Sequence, residues 1–181
     1  MRRQARKKNG DYRGNPESGF TLIEMVLVII IVIILGAVLS LGLSSLSTVR
    51  LDNAVKKVVG DLRYAQQLAM TTRIRHGLEL NSLTQYTVHQ DLPPDTAIKD
   101  PVDLGSNFVV NFDTYQQGQI SGVQFGSATP FCGGGVIEFN AIGEPTDTNG
   151  TLLGCAASVV MNYSGNSRTI TIEPNTGNLT Y

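Results

Sequence analysis

No charged residue interrupts the chain from Met25 to Val49, a run of 25 residues, and MVLVIIIVIILGAVLSLGL within it is apolar nearly throughout. A helix needs about 20 such residues to cross the hydrocarbon core of a bilayer, where backbone groups are satisfied only within a helix or a closed barrel. The run is several times the length of a strand, so the pattern predicts a membrane-spanning helix. From Leu51 the pattern becomes amphipathic. Leu51, Val55, Val58, Leu62, Ala65 and Ala69 recur at helical spacing, while Asp52, Lys56, Asp61, Arg63 and Gln67 fall mainly on other faces. With no strong breaker between Phe20 and Arg75, the simplest expectation is one helix of about 55 residues, about 80 Å long.

Beyond His76 the apolar pieces shorten. HGLEL, YTVHQ, NFVVNFD, GVQFG, GVIEFN, ASVVMNY, RTITIEP and NLTY read as strands separated by turn formers. In RTITIEP, Ile170 and Ile172 face one way and Thr169, Thr171 and Glu173 the other. A sheet with one apolar face needs a cover, and the amphipathic half of the helix supplies it. The expected fold class is therefore α+β, a long N-terminal helix packed on an antiparallel sheet.

Charge divides the chain at Gly19. Residues 1–19 hold six basic residues against two acidic ones, a net +4, which leaves eight basic and thirteen acidic residues beyond, a net −5. A positive block before a long apolar run holds that block on the cytoplasmic side, so the remainder is expected across the membrane. The leader is hydrophilic to its last residue, unlike an ordinary secretory signal. Glu24 stands just inside the apolar run, where a carboxylate costs about 3 kcal/mol at bilayer depth unless it has a partner or a function.

These residues carry a resemblance. GFTLIEMVLVIIIVIILGAVL, from Gly19 to about Leu39, resembles the processing site of type IV prepilins and type II secretion pseudopilins. The resemblance implies cleavage between Gly19 and Phe20 by a prepilin peptidase, followed by N-methylation of Phe20. It also implies that Glu24 guides assembly by pairing with the terminal amine of a neighbouring subunit, since a buried carboxylate is tolerable beside a cation. Read alone, Glu24 has a blander alternative: a carboxylate near the interface that reaches back to water. Major pilins typically carry a proline where Leu41 stands here, with only Gly36 and Gly42 nearby to weaken the helix, which leans towards a minor subunit or pseudopilin.

LDNAVKKVVGDLRYAQQLAM, VIEFNAIGEP and SRTITIEPNTGNLTY further resemble H-type minor pseudopilins of type II secretion and FimT-like minor pilins, with the C-type minor pilin of mannose-sensitive haemagglutinin pili as a close variant. The implied organisation is a cytoplasmic leader over residues 1–19, a transmembrane and filament-core helix over 20–49, and a periplasmic pilin-like globular part over 50–181. The implied setting is a single pass through a bacterial inner membrane, then a pilus or pseudopilus. Implied partners are the prepilin peptidase, other pilins or pseudopilins and an inner-membrane assembly platform. Some FimT-like members bind DNA through a basic C-terminal region, but here that region offers only Arg168 beside Glu173, so nucleic acid is not expected.

Cys132 and Cys155 both fall in the part expected outside the cytoplasm, where disulfides persist. A bridge would close a loop of about 24 residues and contribute roughly 3 kcal/mol; two buried free thiols are the alternative. Each cysteine precedes a strand, which in a plain hairpin would place them at opposite ends, so a bridge requires a folded-back connection. His76 and His89 lack the spacing of a zinc site and read as surface or edge-strand residues. Lys56, Lys57, Arg63, Arg73 and Arg75 read as a solvated face. Gly133, Gly134 and Gly135 read as turn glycines, and the Asp-rich stretches DLPPDTAIKDPVD and EPTDTNGT match no calcium-loop spacing. No cofactor or metal is expected. No nucleophile, base and orienting acid assemble into a catalytic set, so the expected role is a structural subunit rather than an enzyme. The alternative is a pilus-tip binding subunit, an adhesin or DNA-uptake receptor, using loops at 92–107 and 143–154.

Overall fold

The structure, a computed structural model, describes residues 19–91, 96–127, 129–132 and 134–181, with the side chains of 39–45 excepted. The expected leader lies outside the described residues except for Gly19. The chain divides into two compact units, Met1–Leu41 and Gly42–Tyr181, and helix α1, Leu22–Thr72, is shared between them.

In the first unit α1 opens at Thr21. The Thr21 N–H donates to Glu24 Oε2 at 3.3 Å while the Glu24 N–H donates to Thr21 Oγ1 at 3.4 Å, a reciprocal capping box. The apolar side chains that follow are exposed from Leu22 to Val38.

In the second unit α1 buries Leu51, Ala54, Val55, Val58, Leu62, Ala65 and Ala69 along one stripe. Arg73 ends the helix with a left-handed φ of 59°, its N–H still bonded to Ala69 O at 3.0 Å. One sheet contains β1 (His76–Ser82), β2 (Gln85–Gln90), β3 (Thr96–Ala97), β4 (Val109–Asn111), β6 (Val136–Phe139) and β7 (Pro145–Thr146), in the order β3-β2-β1-β6-β7 with β4 also on β2. The other contains β5 (Gln124–Phe125), β8 (Ala157–Tyr163), β9 (Asn166–Ile172) and β10 (Leu179–Thr180), in the order β10-β9-β8-β5. All pairings are antiparallel. The β8–β9 hairpin turns at Ser164 and Gly165, whose φ values of 48° and 82° match the right-handed twist of the flanking strands.

Tyr86 on β2, Phe112 after β4 and Phe125 on β5 join the two sheets through their rings, with the Phe112 and Phe125 centroids 5.1 Å apart and Tyr86 within 6.1 Å of both. The Phe125 N–H bonds to Leu83 O at 2.7 Å and adds a backbone link.

The expected architecture is corrected. Helix α1 is a single helix of 51 residues, but it is divided between two compact units, and the strands of the second unit make two antiparallel sheets rather than one. The expected membrane-spanning half is corrected as well, because among the described residues no helix is long and apolar enough to cross a membrane. The described apolar side chains of the first unit run over Leu22–Val38, about 26 Å of helix against a hydrocarbon core of about 30 Å, and Glu24 lies among them. The transmembrane helix, and the single-pass inner-membrane location that rested on it, are overturned by the same observation.

Candidate functional site

Five residues stood out in the sequence. Gly19 and Phe20 precede α1 outside any helix or strand; nothing lies within 4 Å of where a Gly19 Cβ would stand, and Phe20 is 76% exposed. Both are therefore accessible, with no packing of their own. Glu24 holds the first turn of its own helix through Thr21. The signal for this contact was present as Thr-x-x-Glu directly before an apolar run, the sequence form of a capping box, and the sequence reading missed it.

Cys132 and Cys155 form a disulfide with Cα atoms 6.2 Å apart. Cys132 precedes β6 of one sheet and Cys155 precedes β8 of the other, so the two are not at opposite ends of one hairpin. The bridge ties the approach to one sheet to the approach to the other, and its Cys132 lines a cavity of about 320 Å³ with Phe131, Val136, Asp147 and Leu153.

The second unit buries polar groups that the sequence reading placed at the surface. His76 and His89 are each only 3% exposed and lie on strands inside the larger sheet, which corrects their reading as surface or edge residues. His76 Nδ1 lies 2.8 Å from Ile74 O, and His89 Nε2 lies 3.2 Å from Glu138 Oε1. Polar groups persist in a core when such partners replace water. Gly77 makes the second pairing possible: it faces His89 on one side and Glu138 on the other, and a Cβ there would fall 2.9 Å from Glu138 Cγ. Arg75 pairs with Asp91 and places Nε 3.4 Å from Glu138 Oε2. That oxygen and His89 Nδ1 have no hydrogen-bond partner among the described residues.

A second polar group lies beneath α1. Asp61 accepts from Lys57 Nζ at 2.7 Å and from Tyr86 Oη at 2.5 Å. Burial raises the Asp61 carboxyl above its ordinary value, against the lowering pull of Lys57 and Tyr86. Burial and the neighbouring Asp61 charge together push Tyr86 well above the usual tyrosine range, so its hydroxyl remains a donor. Lys57 also sits over the rings of Phe108 and Tyr115, 4.9 Å and 5.3 Å from their centroids. Neither Lys57 nor Arg75 belongs to a freely solvated face, and Asp61 is a core residue; these three readings are corrected. Beside them a cleft of about 420 Å³ opens between Tyr64 and the Asp100–Asp103 loop.

The carboxyl of half-buried Asp147 is held below its ordinary value, chiefly by the backbone N–H groups of Thr151 and Asn149, so it organises its own loop. Among the described residues no three histidine, cysteine or acidic side chains gather as a metal ion would require. Against known proteins, the chain matches no family model, no curated protein and no solved structure.

Proposed function

We propose that the chain is a minor pilin or pseudopilin, processed between Gly19 and Phe20 by a prepilin peptidase and assembled with other pilins or pseudopilins into a type IV pilus or a type II secretion pseudopilus. The observation that carries this reading is the apolar surface of α1 from Leu22 to Val38, in which Ile23, Val32 and Ile33 are each more than 60% exposed. An exposed apolar surface of that extent marks a contact, and helix-to-helix packing between subunits covers it. Its position directly after an accessible Gly19–Phe20 bond supports the same reading. In the assembled form the Glu24 carboxylate would exchange part of its capping role for a neighbouring amine.

Co-expression with a prepilin peptidase tests it by mass spectrometry. The expected product begins at a methylated Phe20, and Glu24→Ala leaves that cut intact while blocking entry into filaments. A chain that stays intact from Met1 beside an active peptidase overturns the reading.

A second reading, a pilus-tip binding subunit, is favoured by the cleft walled by Tyr64, Phe108 and Tyr115, since ligand sites are concave, largely aromatic and served by few polar groups.

A further inference from the structure

The solvent face of α1 in the second unit carries one sign of charge. Asn53, Lys56, Gly60, Arg63 and Gln67 are all exposed and recur every three to four residues, so they form one ridge. The acids of this stretch are engaged elsewhere, Asp52 with Arg168 at 3.0 Å and Asp61 with Lys57 and Tyr86. Lys56 and Arg63 have no ion-pair partner among the described residues. Between them Gly60 leaves a notch, with nothing within 4 Å of where its Cβ would stand. Its φ is not left-handed, so neither a turn nor local crowding accounts for a glycine on an exposed helix face, where it destabilises relative to alanine.

A matching surface lies on the same unit. The hairpin closed by the Lys99–Asn107 bridge exposes Val102 at 94% and Leu104 at 74%, with the exposed Asp103 between them. The tip is held in shape: Asp100 Oδ1 accepts from the Val102 N–H at 2.7 Å and Asp103 Oδ1 from the Gly105 N–H at 3.2 Å. Lys99 turns back onto Asn107 Oδ1 at 3.2 Å, which leaves the tip acidic. A tip already ordered loses little freedom on docking.

We infer that the Val102–Leu104 tip of one copy docks at the Gly60 notch of a second copy, with the Asp103 carboxylate between Lys56 and Arg63. Gly60 admits the tip backbone, and the ridge supplies the opposite charge. Tip and ridge are different patches, so the contact is heterologous and leaves each copy a free tip or ridge for a further copy. The inference rests on the assembly reading above and names a contact between its subunits.

The test mixes two full-length chains in mild detergent, one carrying Leu104→Cys and the other Asn53→Cys, with a short bis-maleimide. A Val28→Cys pair in the same detergent reports the apolar helix contact separately. The expected result is a crosslinked dimer that falls about tenfold when Asp103→Lys is added, returns when Arg63→Glu is added on the other chain, and weakens with salt. Gly60→Ala should raise the thermal midpoint yet lose the crosslink, which separates docking from folding. A Leu104–Asn53 crosslink that is absent while Val28 crosslinks form, or that ignores the charge exchange, overturns the docking contact and leaves the assembly reading standing. Loss of the Val28 crosslinks as well overturns both.

Discussion

His89 and Glu138 meet at 3.2 Å across the middle strand of the larger sheet, over the position of Gly77, which has no side chain to separate them. This arrangement makes Gly77 one of the least replaceable residues of the unit. A Cβ added there would stand 2.1 Å from Ile137 O and 2.9 Å from the Glu138 Cα, both backbone atoms that cannot step aside. Gly77→Ala is expected to lower unfolding free energy by about 3 kcal/mol, read as a fall in the denaturant midpoint at unchanged slope. A variant with wild-type stability would show that the sheet tolerates a shift of β6.

Tyr86→Phe removes the buried hydroxyl that donates to Asp61. The carboxylate keeps Lys57 but loses a donor at a site where its side chain is only 9% exposed, so the expected cost is about 2 kcal/mol by chemical denaturation.

Asp61 also gives the unit a specific pH response. Its folded-state pKa is raised above the ordinary 3.8, so the folded chain holds a proton that the unfolded chain releases. Between 3.8 and the raised value stability therefore falls as pH rises, and above it the ionised form carries the full burial penalty. Wild type should gain stability relative to Asp61→Asn as pH is lowered through that window, and the difference should level off below it. A difference that grows with rising pH would contradict the assignment.

Thr21→Ala removes the hydroxyl half of the capping box at the start of α1. Loss of a cap costs about 1 kcal/mol of local helix stability, so amide exchange at Glu24 and Met25 should quicken about fivefold while exchange in β8 and β9 is unchanged.

What was legible in the chain depended on how local its cause was. HGLEL, YTVHQ and RTITIEP, short pieces set between turn formers, mark β1, β2 and β9, and in the last Ile170 and Ile172 do point inward from exposed Thr169 and Glu173. β3 and β7 are two residues long, too short to carry a period. The sorting of strands into two sheets depends on pairings such as β1 with β6, whose partners lie about 60 residues apart, and no local pattern encodes it. Glu138 alternates with Ile137 and Phe139 as an outward residue would, so its burial opposite His89 was invisible. Asp61 likewise fell between apolar positions, and only the fold brings Tyr86 to it. The apolar run misled in the other direction: its composition suggested a span, but the described helix falls short of one.

The link between Cys132 and Cys155 changes how the second unit responds to tension. A pull applied between Gly42 and Tyr181 passes straight through the sulfur atoms, so the chain between the two cysteines adds nothing to the extension even after both sheets have come apart. Neither sheet can be drawn fully away from the other until a reductant cuts the staple, so the unit, once it yields, lengthens by a limited step and keeps the means to refold in register.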